Sequence, residues 1–151
     1  MKSTLFNNSF AEIAISYSSR IKASERVQIT KSEHADAIFR EVFPSLEHKE
    51  YFYALYLDRS NRVLGAYLVS SGGITGTVVD PKIVFQAGLK ANATSIILAH
   101  NHPSGQTVPS DADVELTKRL ISAGKLLELT ILDHLIIVPD GYRSFSDDGI
   151  I

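Results

Sequence analysis

The sequence predicts a single α/β domain, a mixed β-sheet flanked by helices. Three observations carry that expectation. Two β-rich runs, Tyr51–Leu57 and Val63–Ser70, are separated by the turn-like Asp58-Arg-Ser-Asn-Arg62 and read as a hairpin. Helical stretches open on capping residues at Thr30, Asp80 and Ser110. Two further apolar runs, Ser95–Ala99 and Leu129–Val138, alternate with these helices, without a glycine-rich nucleotide fingerprint.

Taken in order, residues 11–18 suggest a short strand, and Ser18 to Ser24 a polar connection. Thr30 and Glu33 have the spacing of a capping box, followed by apolar Ala35, Ile38, Phe39 and Val42, so a helix is expected to end near Pro44. After the hairpin, Ser70–Gly76 is a glycine-rich loop. Asp80 then supplies an N-cap and Pro81 a residue suited to the first helical position, opening a helix to about Asn92. Ser95–Ala99 is wholly apolar after its serine, as a buried central strand requires. His100 to Pro109 reads as a loop, Ser110 to about Leu127 as an amphipathic helix with Gly124 inside it, and Leu129–Val138 as the last long strand. Residues 1–30 are expected as an N-terminal extension with a short strand, and 31–151 as the domain proper.

Bulk properties narrow the function. With 151 residues the chain suits one domain or one domain plus a short extension. A net charge of −2 is not that of a polycation, which weakens a stand-alone nucleic-acid binder. Cysteine is absent, so disulfides and thiolate metal sites are excluded and any metal must be held by imidazole and carboxylate. No apolar run reaches the roughly 20 residues of a membrane helix. Met1–Phe10 lacks the apolar stretch of a signal peptide, and a cytoplasmic protein is the default expectation.

The chemistry is concentrated between Leu98 and Asp113. His100 and His102, at the end of an apolar strand, leave the backbone on the same side. Asp113 falls in the first turn of the following helix, which can swing its carboxylate back toward them. Two imidazoles and one carboxylate form a usual catalytic zinc set with a fourth position for water. Such a site needs a carboxylate to accept a proton, and Glu47 and Glu50 are the candidates just before Tyr51. Ser110 is placed to donate a hydrogen bond to an oxyanion. Ser110 and Asp113 read equally well as a helix cap, and the two readings are compatible. Asp133 and His134, inside an apolar strand, read as a buried hydrogen-bonded support rather than a second metal site.

His-x-His-Pro-x-Gly at 100–105, with Ser-x-x-Asp at 110–113, closely resembles the JAMM (MPN-domain) metalloprotease signature. The fuller string His-Asn-His-Pro-Ser-Gly with Pro-Ser-x-x-Asp resembles the RadC branch. Glu50-Tyr-Phe, Leu57-Asp58 with Asn61-Arg62, Gly76-Thr-Val-Val-Asp-Pro81, Leu132-Asp-His134 and Tyr142-Arg-Ser-Phe145 are similar to that branch as well. The resemblance implies a cytidine-deaminase-like fold and hydrolysis of a peptide or isopeptide bond. It makes His100, His102 and Asp113 the zinc ligands and Ser110 the oxyanion-side hydroxyl. Glu50, matching the Glu-x-Phe segment, becomes the base, with Glu47 in reserve. Residues 1–44 show no glycine-centred hairpin of the helix-hairpin-helix type, so the chain resembles the short form associated with mobile elements.

Three alternatives compete with an amide hydrolase acting on a protein or peptide. A metal-dependent nuclease, or a DNA-associated repair factor, is prompted by the His-Asn-His string and by the family's traditional DNA-repair label. Nucleases of the His-Asn-His type spread those residues over a ββα unit, whereas here they are contiguous. A non-catalytic MPN scaffold typically lacks metal ligands, and all three are present. A cytidine deaminase needs the cysteine pair of its zinc signature, which is absent.

Overall fold

The computed structural model describes residues 10–73 and 76–151. Ile74 and Thr75, within the glycine loop expected over 70–76, and the first nine residues lie outside the described ones. The described residues form α1 (Ser32–Val42), β1 (Tyr51–Leu57), β2 (Val63–Ser71), α2 (Pro81–Lys90), β3 (Ser95–Asn101), α3 (Asp111–Leu127), β4 (Thr130–Val138) and β5 (Gly141–Ser144), preceded by a short 3₁₀ turn at Ala23–Glu25. The sheet order is β2-β1-β3-β4-β5. All neighbours are antiparallel except β3 and β4, which run parallel and are joined through α3. The expected mixed sheet flanked by helices is the fold.

Alternation along the central strands sorts side chains into two cores. From β1, Tyr51, Tyr53, Leu55 and Leu57 join Ile97, Ala99, Leu135 and Ile137 beneath Ala35 and Phe39 of α1. Phe52, Ala54 and Tyr56 face the other way, joining Ile96, Leu98, Val84, Phe85 and Leu120 from β3, α2 and α3. A strand buried on both faces reads as a continuous apolar run, and β1 and β3 are buried throughout. Arg40 fastens α1 to the far edge by donating to the carbonyl oxygens of Val138 and Gly141, at 3.0 and 2.8 Å.

Several local expectations hold. Asp80 caps α2 by accepting from the Lys82 N–H, with Pro81 opening the helix. Ser110 and Asp113 form a reciprocal capping box at the start of α3. Gly124, inside that helix, permits the chain to pass close by: an added Cβ would lie 2.2 Å from the Leu129 carbonyl oxygen.

Others are corrected. No strand forms over 11–18; that segment is exposed and has no ladder partner among the described residues, although the Tyr17 hydroxyl reaches the Leu64 carbonyl oxygen at 2.8 Å. The capping box expected of Thr30 and Glu33 is not made either. Lys31 occupies the cap position, Glu33 turns to the Lys31 ammonium at 2.7 Å, and the Thr30 N–H donates to His34 Nδ1. The third strand runs beyond Ala99 through His100 and Asn101, so the first histidine stands on the sheet rather than in the loop.

Candidate metal centre

The site lies at the carboxyl end of β3. His100 pairs across the sheet with Phe52 of β1 and Ile136 of β4, and its ring stacks on Phe52 at 6.0 Å with planes 5° apart. His102, one step past the strand, leaves on the same side. Their Nε2 atoms stand 2.9 Å apart. The first turn of α3 delivers Asp113, whose Oδ1 lies 3.4 Å from His100 Nε2 and whose Oδ2 lies 3.4 Å from His102 Nε2. Glu50, immediately before β1, shares the face of Phe52 by strand alternation and brings Oε1 to 3.9 Å from His102 Nε2. Ligand atoms of Glu50, His100 and His102 all fall within 4.8 Å of one another.

Hydrogen bonds behind the rings decide which nitrogen faces the cluster. The Thr117 hydroxyl donates to the main-chain carbonyl of Asp113 at 2.6 Å, so toward His134 it acts as acceptor. His134 therefore carries its proton on Nδ1, 2.6 Å from Thr117 Oγ1. Its Nε2 is left to accept from His100 Nδ1 at 2.7 Å. That places the His100 proton on Nδ1 and turns the Nε2 lone pair toward the cluster. His102 reaches the same arrangement by a different route, its Nδ1 donating to the Gln106 carbonyl oxygen at 2.7 Å. Both imidazoles thus present Nε2 as an electron-pair donor, the tautomer a metal ligand needs.

Electrostatics follow the geometry. Burial, then the nearby His100, pushes the His134 imidazole well below its ordinary range and keeps it neutral. Burial alone would raise the Asp113 carboxyl, but the adjacent His100 and His102 imidazoles and the hydrogen bond from the Ser110 N–H together outweigh it and hold Asp113 well below the usual carboxylate range. The Asp113 hydrogen bond raises His102, against the opposing effect of burial. Asp133, raised by burial, accepts from the Ser144 hydroxyl and from the N–H groups of His134 and Ser146. It ties β4 to the chain beyond β5 and does not enter the cluster, as its sequence setting suggested.

All five sequence-derived candidates meet here. Glu50, His102, Ser110 and Asp113 line one open cleft together with Gly76, Thr77 and Pro103, and His100, 3% exposed in its side chain, is buried against His102 and Asp113. Glu47, the other carboxylate, is exposed and does not join the group of ligand atoms formed by Glu50, His100 and His102. The Ser110 hydroxyl accepts from the Asp113 N–H at 3.1 Å, which leaves its own O–H to donate into the cleft. The sequence reading missed two contributors. Thr117 carried no signal beyond being a polar residue one helical turn after Asp113, and Asn101 was seen only as the residue between two histidines.

Two buried-edge imidazoles and two carboxylates at the end of the third strand of this five-stranded sheet define a domain of the JAB/MPN type. The chain matches the RadC-like JAB domain family over residues 10–150, and it belongs to that family. It is similar to a UPF0758 protein of Flavobacterium johnsoniae, 47% identical over 123 residues that cover 82% of this chain and 53% of that protein. A UPF0758 protein of Syntrophomonas wolfei is 40% identical over 133 residues, covering 87% of this chain and 54% of the relative. Another, from Methanosarcina mazei, is 39% identical over 116 residues, covering 76% and 51%. The chain therefore spans about half the length of the curated relatives it matches. Among the described residues no helix is long and apolar enough to cross a membrane.

Proposed function

We propose that this chain is a zinc-dependent hydrolase of the JAMM type that cleaves a peptide or isopeptide bond in a protein or peptide substrate. His100, His102 and Asp113 would hold the ion. The observation that carries the reading is the pair of imidazoles whose Nδ1 protons are both committed elsewhere, leaving two Nε2 lone pairs and the Asp113 carboxylate within 3.4 Å of each other. A nitrogen and oxygen donor set of this kind, without thiolate, suits zinc with an open position. When bound, zinc supplies a Lewis acid that polarises a carbonyl and lowers the pKa of a coordinated water to about 7.

The remaining steps belong to side chains. Glu50, its carboxylate at the rim beside His102, accepts the proton as water adds to the scissile carbonyl carbon. It returns that proton to the amine nitrogen as the C–N bond breaks. Ser110 donates its free O–H to the oxygen that becomes negative in the same step. Asp113 serves twice, as ligand and as the other half of the helix cap, so the turn that carries it is held in place by the function it performs. Asp113 is preferred to Glu50 as third ligand because its oxygens stand 3.4 Å from both histidine Nε2 atoms, whereas Glu50 is 3.9 Å from His102 and farther from His100.

The test is a cleavage screen of purified protein on peptide and isopeptide libraries and on single- and double-stranded DNA, with and without chelator. Cleavage of an amide bond that chelator abolishes and zinc restores is the expected result. DNA cleavage that vanishes in His102→Ala would replace this reading by the nuclease one.

A further inference from the structure

We propose that Asn101 is a positioning residue that sets Glu50 against the two histidines; the proposal deepens the hydrolase reading and rests on it. Strand alternation sends Asn101 to the face opposite His100 and His102, toward α1, where its side chain is fully buried. A buried primary amide has two N–H donors and one carbonyl to satisfy. Asn101 spends all of them on one short stretch of chain. Its Nδ2 donates to the carbonyl oxygens of Leu46 and Lys49, at 3.0 and 2.8 Å, and its Oδ1 accepts the Tyr51 N–H at 2.7 Å.

Those partners bracket Glu50. The β1–β3 ladder stops at Phe52 opposite His100, so one residue further out the Asn101 side chain takes the place of the missing ladder acceptor. The peptide groups before and after Glu50 are thus both fixed by a residue that is covalently flanked by His100 and His102. Across the hairpin, main-chain bonds to Gly72 and Gly73 hold the other side of Glu50. The carboxylate is placed on the cluster from the reverse face of the sheet. Asn101 touches neither the cleft nor a ligand atom, so it acts only through the backbone it holds.

The experiment is a double-mutant cycle on cobalt(II) affinity, with Glu50→Gln made in the wild-type and Asn101→Ala backgrounds. Losing the negative charge beside the two histidines should weaken cobalt binding about fivefold in wild type. If Asn101 places Glu50, the same change costs less than about twofold in the Asn101→Ala background. An equal factor in both backgrounds overturns the proposal. Amide hydrogen exchange on the same proteins gives a second readout that needs no metal: Tyr51 should exchange at least about tenfold faster in Asn101→Ala while Leu55, in mid-strand, is unchanged. An unaltered Tyr51 amide also overturns it. Should Asn101→Ala fail to fold, Asn101→Asp keeps the acceptor for Tyr51 and loses both donations; it should release Glu50 from the coupling while leaving Tyr51 protected. Absence of cobalt binding in wild type would sink the hydrolase reading, and the exchange measurement would still decide the clamp.

Discussion

His134 holds His100 by a 2.7 Å bond between ring nitrogens, in a pocket closed by Phe52 and Phe145. Neutral, buried and itself held by Thr117, His134 makes His100 present one nitrogen and one orientation. Removal of such an outer partner typically costs 10–100-fold in metal affinity. His134→Ala should therefore weaken zinc by about that factor, and His134→Gln, which can still accept from His100, by less. Competition against a chromophoric chelator measures it, and equal losses for both variants would contradict the tautomer assignment.

Zinc should bind at about one ion per chain, and His102→Ala should abolish stoichiometric binding by leaving one imidazole and one carboxylate. The ligands hang on a buried strand and a capped helix, so the protein stripped with chelator should keep its circular dichroism. A collapse of that signal on stripping would make the metal structural.

Acid should release the ion at an unusually high pH. Binding needs His102 unprotonated, and Asp113 raises its affinity for protons above that of an ordinary imidazole near pH 6.5. Apparent affinity should be level above about pH 8 and fall roughly tenfold per unit once His102 binds its proton. Asp113, held ionised far below this range, contributes no step of its own there. Zinc titrations between pH 5 and about pH 8.5 follow the curve; a profile still flat below pH 6 would exclude imidazole ligands.

Glu50→Gln keeps size and hydrogen-bonding capacity but cannot take a proton. Turnover on an identified substrate should fall by about 10² or more, with zinc occupancy near one. Glu47→Gln, altering an exposed side chain, should leave turnover within about twofold of wild type.

Glu128 ends α3 with φ of 55°, the left-handed conformation that glycine adopts without a Cβ penalty. Glu128→Gly should raise stability by about 0.5–1 kcal/mol, visible as a higher midpoint in urea. A lower midpoint would mean that the Glu128 side chain makes a contribution its backbone strain conceals.

The parts legible in the sequence are those that local chemistry decides. Asp80-Pro81 and Ser110 with Asp113 are caps whose partners lie within three residues, and the structure forms both. The His-x-His spacing fixed a common side for two rings because strand alternation needs no tertiary information. Thr30 and Glu33 failed where other partners took the same groups, Lys31 the carboxylate and His34 the N–H. Residues 11–18 have a plausible strand pattern, but a strand also needs a neighbour to satisfy its backbone, and none of the described residues pairs with them. The third strand was read two residues short because His100 and Asn101 are polar, and their burial depends on partners 34 and 50 residues away. For the same reason Asn101 had no visible role: all its bonds are to distant main chain. The four residues of β5 offered too short a pattern to register.

The outer strand has a consequence for handling the protein. Val63–Ser71 contains no charged residue, forms one border of the sheet, and leaves Tyr67 and Leu68 45% and 41% exposed. A neutral, apolar border with spare main-chain donors and acceptors is a template onto which another chain can zip. The Tyr17 phenol, anchored on the Leu64 carbonyl, occupies one of those positions. Trimming the chain past Tyr17 to obtain a smaller crystallisable piece would uncover that position, and concentrated preparations of the shortened protein should turn cloudy sooner than those of the intact one.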